Sequence, residues 1–304
     1  MAVAQDWQYR VNYLVPEGRK LPSGIFRYAA AIEYDGSDYC GWQRQRHCTG
    51  VQEVVEKALS AVADEPVKVA CAGRTDTGVH ATAQIIHFDS RAMRSSRNWM
   101  LGSNANMPRN VRCHWAEKMP DNFHARFSAH SRTYRYLVLN TSSRPALLRQ
   151  GLAWEGANIS LPAMNEAVAA LIGEHDFSSF RGAGCQSATP WRSIHYIDIF
   201  RLNDIVVFEI RANAFLLHMV RNIMGALLAV GRGEHSPQWL GQLLALRDRS
   251  KAGVTAPAQG LYLVRVAYPS EFAIPVFKPG PCFVGRDLYD VIHPSRPGGF
   301  STKN

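Results

Sequence analysis

VKVACAGRTDTGVHATAQIIHF, residues 67–88, holds two short apolar runs around a loop of small residues. VKVACA (67–72) and AQIIHF (83–88) are rich in β-branched residues and read as strands. Between them AGRTDTGVHA (72–81) carries Arg74, Asp76 and His80 among Gly, Thr and Ala. Asp, Thr and Gly are turn formers, and spacing alone favours a plain turn. The other reading is a catalytic loop presented at a strand end by a rigid sheet. The rest of the chain decides between them.

Outward from this stretch, strands and helices mix in both halves. RYAAAIEYDG (27–36) reads as a strand ending in a turn, and TGVQEVVEKALSAV (49–62) as a helix with Thr49 and Gln52 at capping-box spacing. RTYRYLVLN (132–140) is a further strand. The pattern then restarts with SLPAMNEAVAALIGEHD (160–176), a helix with Ser160 as N-cap and Gly173 as stop. WRSIHYIDIFRLNDIVVFEIRA (191–212) is a hairpin turning at Asn203 and Asp204. NAFLLHMVRNIMGALLAVG (213–231) and SPQWLGQLLALRD (236–248) are helices, and LYLVRVAY (261–268) is the last strand. The expected organisation is an N-terminal extension (1–24), an α+β lobe (25–126), a second α+β lobe (127–270) and a Pro/Gly-rich tail (271–304).

The 304 residues, 46% hydrophobic and 19% charged, fit a soluble globular chain with no membrane-length apolar run and no signal-peptide start. Six cysteines form no CxxC pair, which points to reduced thiols and a cytoplasmic address. Net charge is +9, and between Ser90 and Arg149 eleven Lys or Arg stand against two acids, with six aromatics interspersed. Cations neutralise phosphates and aromatic faces stack on unpaired bases, so the partner expected is nucleic acid rather than a membrane. Glu and Asp are too scarce there for a lattice of catalytic metals, and His80 and His87 lack zinc-site spacing. There is no GxSxG elbow, no GxxxxGK[ST] loop, no Rossmann glycine set and no paired glycosidase carboxylates. One carboxylate, Asp76, remains as a nucleophile. A nearby guanidinium keeps such a group ionised, and both Arg74 and Arg221 are candidate partners. Arg221 is set in an otherwise apolar helix, where a cation either pairs or snorkels to the surface.

Six blocks in order, YDGSDYCGWQRQ (34–45), CAGRTDTGVHA (71–81), FHARFSA (123–129) with RTYRY (132–136), QSATPWR (186–192), NAFLLHMVRNI (213–223) and APAQGLYL (256–263), resemble the tRNA pseudouridine synthase A family. The resemblance spans about residues 25–270. It implies two ferredoxin-like (RRM-like) lobes sharing a continuous, mainly antiparallel sheet around a central cleft, and a homodimer. It implies isomerisation of uridine to pseudouridine at positions 38, 39 and 40 of the tRNA anticodon stem-loop, with no cofactor and no metal. Carried over block by block, Asp76 is the nucleophile, Tyr134 packs on the target uracil, Arg221 pairs with the nucleophile, Arg74 holds the flipped nucleotide and Leu263 lines the substrate site. Two positions depart from the usual pattern: Thr77 stands where Ala is common, and Thr133 where a basic residue is common. Attack at C1′, attack on the base and a glycal route are all compatible with one carboxylate. A non-catalytic RNA-binding or chaperone protein explains the charge but not an Asp held in GRTD, since a carboxylate weakens a phosphate-binding face. A tRNA nuclease would cut the strand instead.

Overall fold

The computed structural model describes residues 20–278 and 280–284, so most of the expected extension (1–24) and of the expected tail (271–304) lies outside the described residues. In chain order the elements are β1 (Phe26–Tyr34), α1 (Val51–Ala63), β2 (Val69–Cys71), β3 (His80–Ser90), α2 (Ser96–Asn106), β4 (Val111–Met119), β5 (Ser131–Asn140), β6 (Ala153–Glu155), α3 (Leu161–Val168), β7 (Gly173–Asp176), β8 (Trp191–Leu202), β9 (Ile205–Ala212), α4 (Met219–Gly231), α5 (Trp239–Leu246) and β10 (Leu261–Ala267). The strands form one open mixed sheet in the order β4-β1-β3-β10-β5-β9-β8-β7, with β2 added to β3 and β6 to β5. Pairing is antiparallel except for β10 with β3 and β5 with β6.

The expected strands form where apolar residues alternate or run together. The middle strands are covered on both faces, which is why β3 and β5 bury Gln84, His87, Arg132 and Arg135 along with their apolar residues. One face packs against the helices in a single core that includes Ile32, Leu59, Trp99, Ile223 and Leu227. Each such fully buried aliphatic side chain is worth about 1.5–3 kcal/mol. On the other face a smaller cluster, Leu137, Leu152, Val207, Tyr262, Val264 and Val284, is closed by the start of the C-terminal segment. No helix among the described residues is long and apolar enough to cross a membrane.

Several local expectations change. Gly50, not Thr49, caps α1, and Gln52 spends its side chain on Glu56 and on the backbone N–H of Arg44. Ser160 does cap α3, accepting from the N–H of Ala163, but α3 ends at Val168 and Gly173 (φ +100°) starts a strand instead of stopping a helix. The hairpin turns at Asn203, which takes the left-handed conformation (φ 51°). The basic stretch 91–149 is not one surface. It contains α2, β4 and β5, and Arg135 is fully buried in an ion pair with Glu209. Arg132 is 9% exposed and donates to the carbonyls of Ala72, Arg126 and Asn213. The reduced-thiol expectation fails for one pair: Cys40 and Cys48 form a disulfide. The chain from 40 to 48 doubles back, with the Cys40 N–H donating to Thr49 O, and this brings together cysteines that no CxxC spacing would flag.

The short parallel match of β10 to β3, Tyr262 opposite His80 and Leu263 opposite Ala81, positions the site. Parallel strands start at the same end. The loop entering β3 (72–79) and the loop entering β10 (254–260) therefore emerge side by side at the middle of the sheet.

Candidate active site

The loop 72–79 is fixed from several sides. Ala72 N–H donates to Ile85 O at 2.8 Å, Gln84 Nε2 to Gly73 O at 2.5 Å, and Trp42 N–H to Thr75 O at 3.0 Å. Thr75 Oγ1 lies 2.8 Å from the buried Tyr34 hydroxyl, and the Arg132 guanidinium holds Ala72 O from behind. The glycines of the YDGSDYCGW block let a second loop press on this one. A Cβ at Gly36 would stand 2.0 Å from Val79 O, and one at Gly41 (φ +84°) would stand 2.6 Å from Thr75 O. Only glycine permits both approaches. Asp76 sits at the apex of this clamped loop, and its own carbonyl accepts from Val79 N–H at 3.1 Å.

The Asp76 carboxylate is 21% exposed and meets two side chains from the start of α4. Arg221 Nη1 lies 3.4 Å from Oδ2 and His218 Nε2 lies 3.5 Å from the same oxygen. Of the two arginines considered as partners, the structure pairs Arg221, while Arg74, on the loop itself, is exposed. Arg221 is itself anchored. Its Nε donates to Ala256 O at 2.8 Å and its carbonyl accepts from Ala256 N–H at 3.1 Å. A charge in an apolar helix is thus held by the loop entering β10, a contact far away in sequence.

Tyr134 is 8% exposed, edge-on to Phe215 with ring centroids 5.1 Å apart and planes at 87°. Leu263 is its direct cross-strand partner and is fully buried in the same core, so it backs the Tyr134 side of the site. Burial, and after it the negative charge of Asp76, raise the Tyr134 hydroxyl above the usual phenol range. It remains protonated. The neighbouring Cys71 thiol is pushed up to about 12, chiefly by burial, and stays neutral. His80, the third chargeable residue of the loop, has a structural place. Its Nδ1 accepts from Gly36 N–H at 3.1 Å, and Nε2 faces the carbonyls of Gln150 (2.8 Å) and Gln259 (3.2 Å).

The structure therefore brings Asp76, Arg221 and Tyr134 near one another, with Leu263 beside Tyr134 across the strands and Arg74 exposed on the Asp76 loop. Sequence reasoning gave no role to His218, Phe215 or the Ala256 backbone. Both side chains lie within the quoted NAFLLHMVRNI block, but nothing in its apolar pattern says that it opens as a loop, with α4 starting only at Met219.

Most of the six sequence blocks, those carrying Asp76 and Arg221 among them, fall within the match to one family. The model of that family, described as tRNA pseudouridine synthase, matches residues 30–128 and 167–269. The chain belongs to the tRNA pseudouridine synthase family. The match includes Asp76, Arg221 and Leu263, whereas Tyr134 falls in the interval between its two segments. Relatives from the family extend over nearly their whole lengths. A tRNA pseudouridine synthase A of Vibrio parahaemolyticus is 51% identical over 262 residues, covering 86% of this chain and 99% of the relative. One of Coxiella burnetii is 53% identical over 258 residues, covering 85% and 99%. Among solved structures, an H/ACA RNP bound to a substrate RNA containing 2′-deoxyuridine aligns with 66% of this chain and 44% of that one, at 12% identity and a TM-score of 0.33, too slight a likeness to argue from.

Proposed function

We propose that this site converts uridine to pseudouridine at positions 38, 39 and 40 of the tRNA anticodon stem-loop, with Asp76 as nucleophile. The chain is a tRNA-modifying isomerase by family. Its reaction breaks the N1–C1′ bond, turns the uracil and joins C1′ to C5. The C5 proton is lost and N1 gains one, so nothing is oxidised and no water is consumed. The observation that carries the residue assignment is the Asp76–Arg221 pair at 3.4 Å, on a loop locked by the 34–42 segment. The guanidinium pairs with the carboxylate and orients it toward the sugar or the base.

A paired uridine leaves its stack at a cost of a few kcal/mol. In this reading the exposed Arg74 holds the backbone of the extruded nucleotide and the Tyr134 ring contacts the uracil, returning about 1–3 kcal/mol. Tyr134 is 8% exposed and stands edge-on to Phe215, so the ring offers the base only a small exposed part. Leu263 then acts from beneath, keeping Tyr134 at the right height.

The strand orders support two ferredoxin-like lobes, residues 25–126 and 127–270. Each half reads fourth, first, third, second: β4-β1-β3-β2 and β10-β5-β9-β8. The family reading adds a homodimer and a cytoplasmic address. The test is incubation of the purified protein with unmodified tRNA, followed by carbodiimide mapping. Pseudouridine at 38–40 is expected; strand scission, or binding without conversion, would overturn the reading.

A further inference from the structure

His218 is the one side chain at the Asp76 carboxylate that the reaction as described leaves without a task. It caps the start of α4 in the left-handed conformation, φ 59° and ψ 4°, and its side chain makes no capping bond. Few non-glycine residues adopt that backbone, which is strained for a side chain of this size. The turn is imposed by its surroundings. Gly182 N–H donates to Leu217 O at 2.8 Å, Leu217 N–H to Cys185 Sγ at 3.4 Å, and Asn222 N–H to His218 O at 2.9 Å. A Cβ at Gly182 would stand 3.0 Å from His218 Nδ1 and 3.2 Å from its Cβ, so the 182 backbone walls the ring on the side away from Asp76. A strained conformation held by its neighbours, with its side chain aimed at a reactive group, is characteristic of a working site.

Both contacts to the carboxylate fall on Oδ2: Arg221 at 3.4 Å and His218 at 3.5 Å. A single donor on one oxygen lets a carboxylate swing about its Cβ–Cγ bond. A second nitrogen at ion-pair distance from that oxygen, on a different residue, restricts the swing. We propose that His218 is a positioning residue for Asp76, fixing Oδ2 together with Arg221 so that Oδ1 is the oxygen presented to the nucleotide. This rests on the reading of Asp76 as nucleophile.

Single-turnover conversion of unmodified tRNA, measured beside tRNA affinity and melting temperature, tests it. His218→Asn suits the left-handed backbone but is too short to reach Asp76. Its conversion rate should fall about tenfold or more, which is about 1.4 kcal/mol of barrier. Affinity and melting temperature should stay near wild type. His218→Gly, which relieves the strain altogether, should fold and be equally slow. His218→Gln places an amide N–H near the position of Nε2 and should recover most of the rate. A purely structural role would move melting temperature and would not be rescued by Gln. Wild-type rates in the Asn and Gly variants, or a Gln variant no faster than Asn, would overturn the proposal while an active wild type leaves the wider reading intact. A wild type that makes no pseudouridine defeats both.

Discussion

Gly225 lies one helical turn beyond Arg221, and no side chain fits there. A Cβ would stand 1.9 Å from Val254 O and 3.3 Å from Ala256 N. Carbon–oxygen contacts settle near about 3.3–3.6 Å, so Gly225→Ala must drive the 254–256 loop roughly 1.4 Å off α4. That loop supplies Ala256 O, which holds Arg221 Nε at 2.8 Å. The substitution therefore has two effects with separate magnitudes. Overpacking costs about 1–3 kcal/mol, offset by a few tenths from better helix propensity. At roughly 2 °C per kcal/mol for a chain of this length, melting temperature should drop by about 2–6 °C. Losing the anchor also lets Arg221 drift from Asp76, and a misplacement near 1 Å at a reacting group costs about 100-fold in rate. Differential scanning fluorimetry and single-turnover conversion of tRNA measure the two effects, with filter binding to show that affinity is kept. If melting temperature falls and the rate does not, the link from Gly225 through Ala256 to Arg221 is wrong. If neither changes, the packing of the loop on α4 is wrong as well.

Other outcomes follow from the same geometry. Arg221→Met strips a part-buried carboxylate of its 3.4 Å partner and should lower stability by about 1–3 kcal/mol, less than a fully buried pair, while nearly abolishing turnover; wild-type melting and turnover would refute it. Tyr134→Phe keeps the ring and should retain tRNA affinity, with a rate loss measuring what the raised, protonated hydroxyl contributes; Tyr134→Ala should lose turnover, and an active Ala variant in single-turnover assay would remove Tyr134 from the site. His87 is held to about 3, first by burial and then by the charges of His124 and Arg27. The unfolded chain then binds the extra proton first, so stability is complete above the ordinary His value near 6.5 and falls by up to about 1.4 kcal/mol per pH unit toward 3. Melting curves of wild type and His87→Gln across that window should diverge as pH drops; parallel curves would refute the assignment.

Much of the fold was legible because its central strands carry unbroken apolar runs and its long helices carry clear periodicity. What escaped notice had weak local signals. In α2 the buried residues are only Trp99 and Ser103, so a polar helix passed for part of a basic surface. β4, VRCHWAEKM, is an edge strand with a third of its residues turned to water. The site was legible as motifs: GRTD announced a carboxylate and HMVRN a lone arginine. Their meeting was not, because it depends on the parallel match of β10 to β3 and on a loop from 254 to 256 that has no periodicity at all. His218 was hidden for a related reason, since a left-handed turn imposed by Gly182 leaves no trace in the pattern around it.

The most direct test of the account is Asp76→Asn. The amide is nearly isosteric and keeps the loop's clamps, all of which run through backbone groups or through Thr75. It lacks the charge that attack requires. Purified free of any host synthase and mixed in excess with unmodified tRNA, the variant should bind as wild type does and give no carbodiimide stop at 38, 39 or 40. Pseudouridine formed at the wild-type rate would contradict the assignment of Asp76 and the site built around it.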